Sequence, residues 1–392
     1  MMILGAGRNE IPAIKKAKEM GVKTLVCDMN ENAPGLRLGD YNIVAKTRDP
    51  AEYVNIAKRY RINGVMTVSV ESLVRTISII AEEMGLTGIS RDAASKVTNK
   101  VLMKKALKSH RIPCGAFVSA TSLGEALENV KKLKFPIVIK PADRAGSRGV
   151  FSLEDEKDLN KYFNTSLSES RCGEVIIEEF IDGIESTVDS ITYKGKTHVL
   201  GISDKEKIHT PNIIAMDLTF PPRYTKEMQG AVRETVCRSL EALSVDFGPS
   251  HVEVIVNDRG PHVIEVAGRA GGGLIPSDVL PHLCGFDVIE KYIKLALGED
   301  PQIPEYALQN GVTLRFFKTP ERGTLKSITG AEEAGRIDGV MKISFTIKRG
   351  DVLKPLKEDN DRGGFVIAMG KDRTQASAVA DRAEEMIKFN VK

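Results

Sequence analysis

Residues 136–149 constrain the fold of this chain more than any other segment. The apolar run from Pro136 to Ile139 predicts a buried strand that ends in Lys140, and a turn rich in glycine and small residues follows at 142–149. A fixed cation beside mobile backbone N–H donors is suited to a polyphosphate. The Gly-x-x-x-x-Gly-Lys-Ser/Thr pattern of the P-loop is absent from the sequence. A phosphate loop that follows its lysine on a strand therefore points to a different nucleotide-binding fold.

Composition and charge exclude several classes of partner. The chain has 392 residues, a formal net charge of +3, no tryptophan and 5% aromatic residues. This charge is too small to indicate a nucleic-acid or anionic-membrane surface, and base stacking needs more aromatic side chains. Apolar runs are no longer than strands, no signal peptide is visible, and the five cysteines lack Cys-x-x-Cys spacing. We therefore expect a cytoplasmic protein with reduced thiols and with neither nucleic acid nor a membrane as partner.

Strands and helices alternate along residues 1–92. Apolar runs at 24–28, 42–44 and 64–68 predict strands, and helical spacing at 51–60 and 72–84 predicts helices between and after them. Strands separated by helices favour a parallel, doubly wound sheet. The first part of the chain is therefore expected to be an α/β unit.

Longer strands and a hairpin replace this alternation beyond residue 92. The turn Asn257-Asp258-Arg259-Gly260 between two apolar runs predicts an antiparallel hairpin. A proline-containing linker at 301–304 precedes a tail with predicted strands at 311–317, 340–347 and 364–369 and a closing helix at 374–389. The tail is therefore expected to be an α+β unit.

The predicted hairpin carries one glutamate in each strand. Glu253 lies within His-Val-Glu-Val-Ile-Val and Glu265 within His-Val-Ile-Glu-Val. A buried charge must be paired or bound to metal, so two carboxylates on one face would form an oxygen site suited to Mg²⁺. Alternatively, both side chains point to solvent from a sheet that is covered on one side only. The hairpin alone leaves both interpretations open.

Two further polar segments are candidates for the site. Gly268–Gly273 follows the hairpin and holds Arg269, which could neutralise a transferring phosphoryl group or lie on a surface loop. Glu178, Glu179 and Ile181 end another apolar strand, and Glu185 lies just beyond. Such a strand end could offer backbone groups to adenine and a carboxylate to ribose, although paired glutamates at strand ends are usually solvated.

The N-terminal turn Gly5-Ala6-Gly7-Arg8-Asn9-Glu10, with Asp28 after the next strand, partly matches a dinucleotide fingerprint. Glu10 replaces its third glycine and would repel a pyrophosphate, which disfavours that interpretation. Glu71, at the end of the strand that precedes a helix, is a substrate candidate. A favourable charge at a helix N-terminus is its alternative explanation.

The order of these features is more specific than any one of them. A lysine, a strand lysine with its glycine loop, the Glu-Glu-Phe-Ile segment and the hairpin glutamates with Arg269 follow one another, and in this order the chain resembles the ATP-grasp superfamily. The resemblance is to its carboxylate–amine ligase and biotin-carboxylase-like branch. It implies a pre-ATP-grasp α/β domain at 1–92, an ATP-grasp domain at 93–300 with a mobile lid at about 113–180, and a C-terminal α+β module at 301–392.

The resemblance assigns roles to residues across the whole chain. It implies ATP binding by Lys100, Lys140, Gly146, Ser147, Gly149, Glu178, Glu179, Ile181 and Glu185. It implies metal binding by Glu253 and Glu265, catalysis by Lys140 and Arg269, and substrate contacts by Glu71 and Arg269. One departure is Ala267, which occupies the position where the family usually has asparagine after its second metal-binding glutamate.

The implied function is an ATP- and Mg²⁺-dependent ligase. It would activate a small-molecule carboxylate as an acyl phosphate and join it to an amine, with release of ADP and with Mn²⁺ as an alternative metal. The tail, with Leu314-Arg315-Phe316-Phe317, resembles the module of amino-acid ligases. The alternatives are a biotin-carboxylase-like enzyme, a one-carbon ligase of purine synthesis, and an ATP-binding sensor without turnover. The family resemblance also implies a homodimer.

Overall fold

The computed structural model describes residues 1–209, 213–304 and 310–392. The first elements alternate as the sequence predicts. They are β1 (Met2–Leu4), α1 (Ile11–Glu19), β2 (Leu25–Asp28), β3 (Tyr41–Val44), α2 (Pro50–Tyr60), β4 (Val65–Met66), α3 (Val74–Met84) and α4 (Arg91–Val97). The strands form one parallel sheet in the order β3-β2-β1-β4, which confirms the predicted parallel sheet.

Both faces of this parallel sheet are covered. In β1, Met2 and Leu4 belong to the apolar core on one face, whereas Ile3 belongs to the core on the other. Successive side chains of a strand point to opposite faces, so the continuous apolar sequence of β1 is what a doubly wound sheet requires.

The next segment forms a small antiparallel sheet with helices packed on it. Its elements are α5 (Lys100–Ser109), β5 (Phe117–Ala120), α6 (Leu123–Val130), β6 (Ile137–Pro141), β7 (Phe151–Leu153), α7 (Lys157–Glu169) and β8 (Val175–Glu179). The strand order is β5-β8-β6-β7. Apolar residues of α6 and α7, including Ala126 and Phe163, cover one face of this sheet. On the other face, Ile176 of β8 packs against Val101 of α5.

The remaining elements build one large sheet and a smaller one. They are β9 (Ile184–Tyr193), β10 (Lys196–His209), β11 (Ile213–Phe220), α8 (Lys226–Ala242), β12 (Gly248–Asn257), β13 (Gly260–Ala267), α9 (Leu280–Cys284), α10 (Val288–Ala296), β14 (Gly311–Phe316), β15 (Gly323–Thr329), α11 (Ala331–Gly335), β16 (Val340–Phe345), β17 (Val352–Leu353), β18 (Gly364–Gly370), α12 (Arg373–Met386) and β19 (Lys388–Val391). The large sheet has eight strands in the order β13-β12-β9-β10-β11-β14-β18-β16. Tail strands therefore continue the sheet that contains the hairpin.

Directly paired residues in a sheet share a face, so pairing shows which side chains lie on one side of the large sheet. One row of paired residues comprises Lys205, Leu218, Leu314, Ile367 and Lys342. A second row comprises Glu265, Glu253, Thr187 and Ser203. Ser203 and Lys205 are two residues apart in β10, so both rows lie on one face. This face, called the substrate face below, extends from the hairpin into the tail.

The tail differs from its prediction at its end. The closing helix α12 ends at Met386 rather than at Phe389, and 388–391 form β19, which pairs with β15. The ring of Phe389 packs against Phe317 and Phe345. A helical pattern cannot reveal this because the partners of β19 are remote in sequence. Among the described residues, no helix is long and apolar enough to cross a membrane.

Candidate active site

The two hairpin glutamates lie directly opposite each other. Glu253 in β12 pairs with Glu265 in β13, and a register shift follows Glu253. About a quarter of each side chain is exposed, at 25% and 24% respectively. Neither carboxylate is simply solvated, because each forms an ion pair with a largely buried lysine. The hairpin therefore brings two carboxylates to one place on the substrate face.

Lys100 links the hairpin to the glycine loop. The side chain of Asn99 accepts hydrogen bonds at the start of α5, which fixes Lys100 as its first residue. Lys100 Nζ lies 3.1 Å from Glu265 Oε1 and donates to the carbonyl of Arg144 at 2.7 Å. Arg144 is in the loop that follows β6. One predicted phosphate-binding lysine thus contacts both a predicted metal ligand and the predicted phosphate loop.

Lys140, the other predicted phosphate-binding lysine, belongs to a buried ionic cluster. Its Nζ lies 2.8 Å from Glu178 Oε2, while Lys104 Nζ lies 3.4 Å from Glu178 Oε1 and donates to the carbonyl of Val263 at 2.9 Å. Burial lowers the pKa of Lys104. Burial also acts to lower the pKa of Lys140, but Glu178, with Glu265 and Glu253, raises it overall. Both lysines hold the pKa of Glu178 below its usual value despite burial.

The buried ionic cluster bears on how Glu178, Glu179 and Ile181, the predicted adenine-binding residues, could contact a base. The carboxylate of Glu178 is engaged by two lysines, and its backbone lies between Phe117 of β5 and Val138 of β6. Glu179 accepts a hydrogen bond from the Lys134 backbone, and Ile181 is 8% exposed. The sequence prediction omitted Lys104. Its signal was the spacing of four residues from Lys100, which places both lysines on one face of α5.

Lysines of β10 hold the remaining predicted acids. Lys205 Nζ lies 2.7 Å from Glu253 Oε1 and 3.0 Å from Glu185 Oε1, and Lys207 also pairs with Glu185. Burial acts to lower the pKa of Lys205, but Glu185 and Glu253 raise it. Burial acts to raise the pKa of Glu253, but Lys205 and Lys207 depress it. The sequence prediction also omitted both lysines, although their alternate positions in β10 place them on one face.

The glycine loop after β6 has the backbone that its sequence favours. Gly146 and Gly149 have φ values of 78° and 70°, and Ser147 lies between them at 57°. A Cβ atom on Gly146 would meet nothing within 4 Å, so this glycine serves backbone conformation rather than close packing. Arg144 Nε lies 3.2 Å from Glu169 Oε2, which anchors one end of the loop to α7.

Arg269 and Glu71 face each other at the junction with the N-terminal sheet. Arg269 Nε lies 3.0 Å from Glu71 Oε2, and the next residue, Ala270, donates its backbone N–H to the Val68 carbonyl at 3.0 Å. Burial raises the pKa of Glu71, which Arg269 opposes and the nearby charge of Glu265 reinforces. The two predicted substrate residues are therefore adjacent, and Glu71 lies within electrostatic range of the hairpin.

The N-terminal turn lies close to the same arginine loop. Glu10 is 2% exposed, and its Oε1 accepts hydrogen bonds from the Ser69 backbone and hydroxyl at 3.3 and 3.1 Å. Burial raises the pKa of Glu10. A Cβ atom on Gly272 would lie 3.9 Å from Asn9 Nδ2. A buried carboxylate at this helix start is unsuited to a pyrophosphate, which supports the interpretation that rejected a dinucleotide site.

The two hairpin carboxylates suit a divalent cation that takes further ligands from phosphate and water better than one that is ligated by protein alone. Ala267 is 3% exposed and offers no side-chain donor, while His251, paired with it across the hairpin, bonds Asp189 through Nδ1 at 2.9 Å. Within residues 1–209, 213–304 and 310–392, no three His, Cys, Asp or Glu side chains form a metal cluster. Two carboxylates fit Mg²⁺, because it commonly takes its other ligands from phosphates and water.

Burial raises the pKa of four of the five cysteine thiols, those of Cys27, Cys114, Cys237 and Cys284. All five thiols are free, as the sequence predicts. Burial raises the pKa of Cys27 and Cys284 to about 12, which keeps both protonated at neutral pH. The groups that the structure brings together at this site are ammonium, guanidinium and carboxylate groups.

Two family models match the chain. The ATP-grasp domain matches residues 133–278, and the L-amino acid ligase C-terminal domain 2 matches residues 315–392. The uncharacterized protein y4rH of Sinorhizobium fredii is 29% identical over 345 residues, which cover 87% of this chain and 70% of that protein. The L-arginine-specific L-amino acid ligase of Bacillus subtilis is 24% identical over 289 residues, covering 72% and 69%.

Solved structures share the fold at lower identity. The L-amino acid ligase from Bacillus licheniformis has a TM-score of 0.86 at 19% identity, with 100% of this chain and 98% of that chain covered. Phosphoribosylglycinamide synthetase from Anaerococcus prevotii has a TM-score of 0.80 at 22% identity, with 100% and 99% covered. A biotin carboxylase domain from Hydrogenobacter thermophilus has a TM-score of 0.78 at 18% identity, with 100% and 91% covered.

Proposed function

We propose that this ATP-grasp protein, whose chain also carries an L-amino acid ligase C-terminal domain, joins a small-molecule carboxylate to an amine at the expense of ATP. The observation that carries the proposal is the shared substrate face. It places the opposed carboxylates of Glu253 and Glu265, paired with Lys205 and Lys100, in one sheet with the strands of the C-terminal domain. Nucleotide and substrate groups can therefore meet on one surface.

ATP is held by groups from both sheets. Lys100 and Lys140 bind phosphate oxygens, and the backbone N–H groups of Gly146, Ser147 and Gly149 close over them. The backbone around Glu178, Glu179 and Ile181 receives the adenine edge, and Glu185 accepts ribose hydroxyl groups. The existing ion pairs support this assignment, because each lysine already has a carboxylate that phosphate can replace.

Glu253 and Glu265 hold Mg²⁺, or Mn²⁺ in its place. The metal supplies charge neutralisation at the phosphate oxygens and positions the nucleotide. With the two carboxylates committed to a cation, Lys205 and Lys100 would be free to bind phosphate or substrate oxygens. Ala267 would supply no amide ligand. The residues therefore favour one firmly held metal.

The proposed reaction has two steps. A carboxylate oxygen attacks the γ-phosphorus, its bond to the ADP oxygen breaks, and an acyl phosphate forms. The amine nitrogen then attacks the acyl carbon, the C–N bond forms, phosphate leaves with the former carboxylate oxygen, and the nitrogen loses a proton. Lys140 and Arg269 stabilise the charge that develops on the phosphoryl oxygens. Closure of the glycine loop excludes water, which protects the acyl phosphate from hydrolysis.

Glu71 and Arg269 contact the substrates at the junction with the N-terminal sheet. A buried carboxylate beside a guanidinium can orient an amine and a carboxylate at the same time. Together with the C-terminal domain, this supports an amino-acid or peptide ligase over the biotin-carboxylase-like and purine-pathway alternatives. We propose a homodimer as the assembly, on the family resemblance alone.

One observation favours a second candidate function. Ala267 lacks the expected metal-binding amide, which favours an ATP-binding sensor without turnover. The experiment incubates the protein with Mg²⁺-ATP and the proteinogenic L-amino acids, and measures ADP, phosphate and new amides by mass spectrometry. The ligase predicts ADP release that depends on amino acids, with one amide for each ADP. Tight ATP binding with no stimulated ADP release would support the sensor, and stimulation by bicarbonate alone would support a carboxylase.

A further inference from the structure

The substrate face contains an aromatic floor at its C-terminal end. Phe316 in β14 pairs with Phe365 in β18, which pairs with Ser344 in β16. Phe316 is two residues from Leu314, and Leu314 belongs to the row that contains Lys205. Phe316 therefore faces the same side as the lysines and glutamates of the nucleotide end.

Arg362 lies over this floor. Its guanidinium carbon is 3.6 Å from the centre of the Phe316 ring, which is stacking distance. Arg362 lies two residues before the start of β18 and donates to the carbonyls of Ala215 and Asp359, at 2.9 and 2.7 Å. About 14% of its side chain is exposed. The guanidinium is thus held in a fixed orientation at the edge of the substrate face.

The loop that carries Arg269 reaches the same phenylalanine. Gly273 has a φ of 65°, and a Cβ atom on it would lie 3.3 Å from Phe316 Cζ. Gly273 is four residues beyond Arg269. The Arg362 side chain and the loop that carries Arg269 therefore both approach the ring of Phe316.

Arg362 retains capacity to bind an anion. A guanidinium has five N–H donors, and the contacts above use two of them. Among the described residues, Asp359 is the acid that pairs with it, at an Nη1–Oδ1 distance of 3.5 Å, and that oxygen makes no hydrogen bond. Burial lowers the pKa of Arg362, with opposition from Asp359, so its positive charge is incompletely compensated.

We propose that Arg362 binds the free carboxylate of the amine substrate, so that this substrate is an amino acid or peptide rather than a simple amine. The proposal rests on the proposed ligase function and assigns a specificity residue to it. A bidentate contact between guanidinium and carboxylate would orient the amine nitrogen toward the acyl carbon near Arg269. Arg315 is unsuited to this role because it lies on the opposite face, paired with Asp217, Asp381 and Glu384.

The test separates acyl activation from amine recognition. Wild type and Arg362→Gln are supplied with Mg²⁺-ATP and the proteinogenic L-amino acids as acyl donors. Hydroxylamine, free L-alanine or L-alaninamide is the acceptor, and hydroxamates, dipeptides and dipeptide amides are measured by mass spectrometry. Loss of a charged hydrogen-bonded pair predicts about a 30-fold decrease in kcat/KM for L-alanine in the variant. Hydroxamate and amide products should change by less than about two-fold.

Two variants control for structural damage. Arg362→Lys keeps the charge and should recover part of the preference for the free carboxylate. Arg373→Gln removes an ion pair with buried Asp204 on another face of the C-terminal domain, and should change all products equally. Equal loss of all three products in Arg362→Gln, or equal use of L-alanine and L-alaninamide by wild type, would overturn the proposal while leaving the ligase function intact. Absence of hydroxamate and ADP in wild type would reject the ligase function itself.

Discussion

The β13 end and the β16 end of the large sheet organise charge differently. At the β13 end, Lys100, Lys104, Lys140, Lys205 and Lys207 pair with Glu178, Glu185, Glu253 and Glu265. At the β16 end, Phe316 and Phe365 form an apolar floor beneath a single stacked arginine. At the first end each of these lysines already has a carboxylate partner before any ligand arrives, so a ligand must exchange ion pairs there. The second end offers one incompletely compensated cation, which suits a smaller and more selective contact.

The largest expected effect comes from breaking the charge balance of the hairpin. Glu265→Gln removes one of two opposed carboxylates and the partner of Lys100. ADP release stimulated by amino acids should fall about 1,000-fold, in the range found when electrostatic stabilisation is lost. Steady-state ADP assays measure this loss, and circular dichroism checks the fold. The exposed control Glu332→Gln should retain activity. Turnover of Glu265→Gln near the wild-type rate would remove the metal assignment.

The second prediction compares the two lysines on Glu178. Lys140→Met should raise the Kd for ATP about 100-fold, because the lysine would contact phosphate directly. Lys104→Met should raise it about 10-fold, because this lysine would act through the position of Glu178. Isothermal titration calorimetry with ATP measures both. Equal effects of the two substitutions would show that the cluster has no member in direct contact with phosphate.

The third prediction concerns Glu71, which pairs with Arg269 at the junction with the N-terminal sheet. Burial raises the pKa of Glu71, so the folded protein binds this proton more tightly than the unfolded chain. The free energy of unfolding therefore falls as the pH rises from the usual pKa of a glutamate through the raised pKa of Glu71 in the folded protein. Glu71→Gln removes that loss, so it should exceed wild type in unfolding free energy at pH 7 but not below about pH 4.

Urea unfolding across pH measures this difference. The same variant should form hydroxamates normally yet couple amino acids about 10-fold more slowly, because the amine loses its orienting carboxylate. A stability difference that is independent of pH would contradict the assigned burial effect. An equal decrease in hydroxamates would place Glu71 in acyl activation instead.

The smallest expected effect is at the position of the missing amide. Ala267→Asn should lower the Mg²⁺ concentration for half-maximal activity about three-fold, since a single neutral ligand adds about 1 kcal/mol. Magnesium titration of ADP release measures it. Asparagine must also fit beside His251, its partner across the hairpin. An increased Mg²⁺ requirement would show that coordination is complete without the amide.

Local patterns predicted the hairpin but not the register that brings its glutamates together. The turn pairs Asn257 with Gly260, and continued alternation from there would place Glu253 opposite Ile264. Glu253 faces Glu265 because the register shifts between Glu253 and Val254, which the turn sequence does not specify.

Lys104 and Lys205 were missed because their partners lie on remote elements. Arg362 was missed for the same reason. Its significance depends on β14 joining the sheet of the hairpin, and no periodicity specifies which strands become neighbours.

Transfer of carboxylate oxygen to phosphate tests the central claim most directly. The protein is incubated with Mg²⁺-ATP and proteinogenic L-amino acids labelled with ¹⁸O in their carboxylates, and the released phosphate is examined by mass spectrometry. An acyl phosphate intermediate predicts a single ¹⁸O in each phosphate released with an amide. Phosphate without ¹⁸O, in which three oxygens come from ATP and the fourth from water, would show ATP hydrolysis without carboxylate activation and would contradict the account.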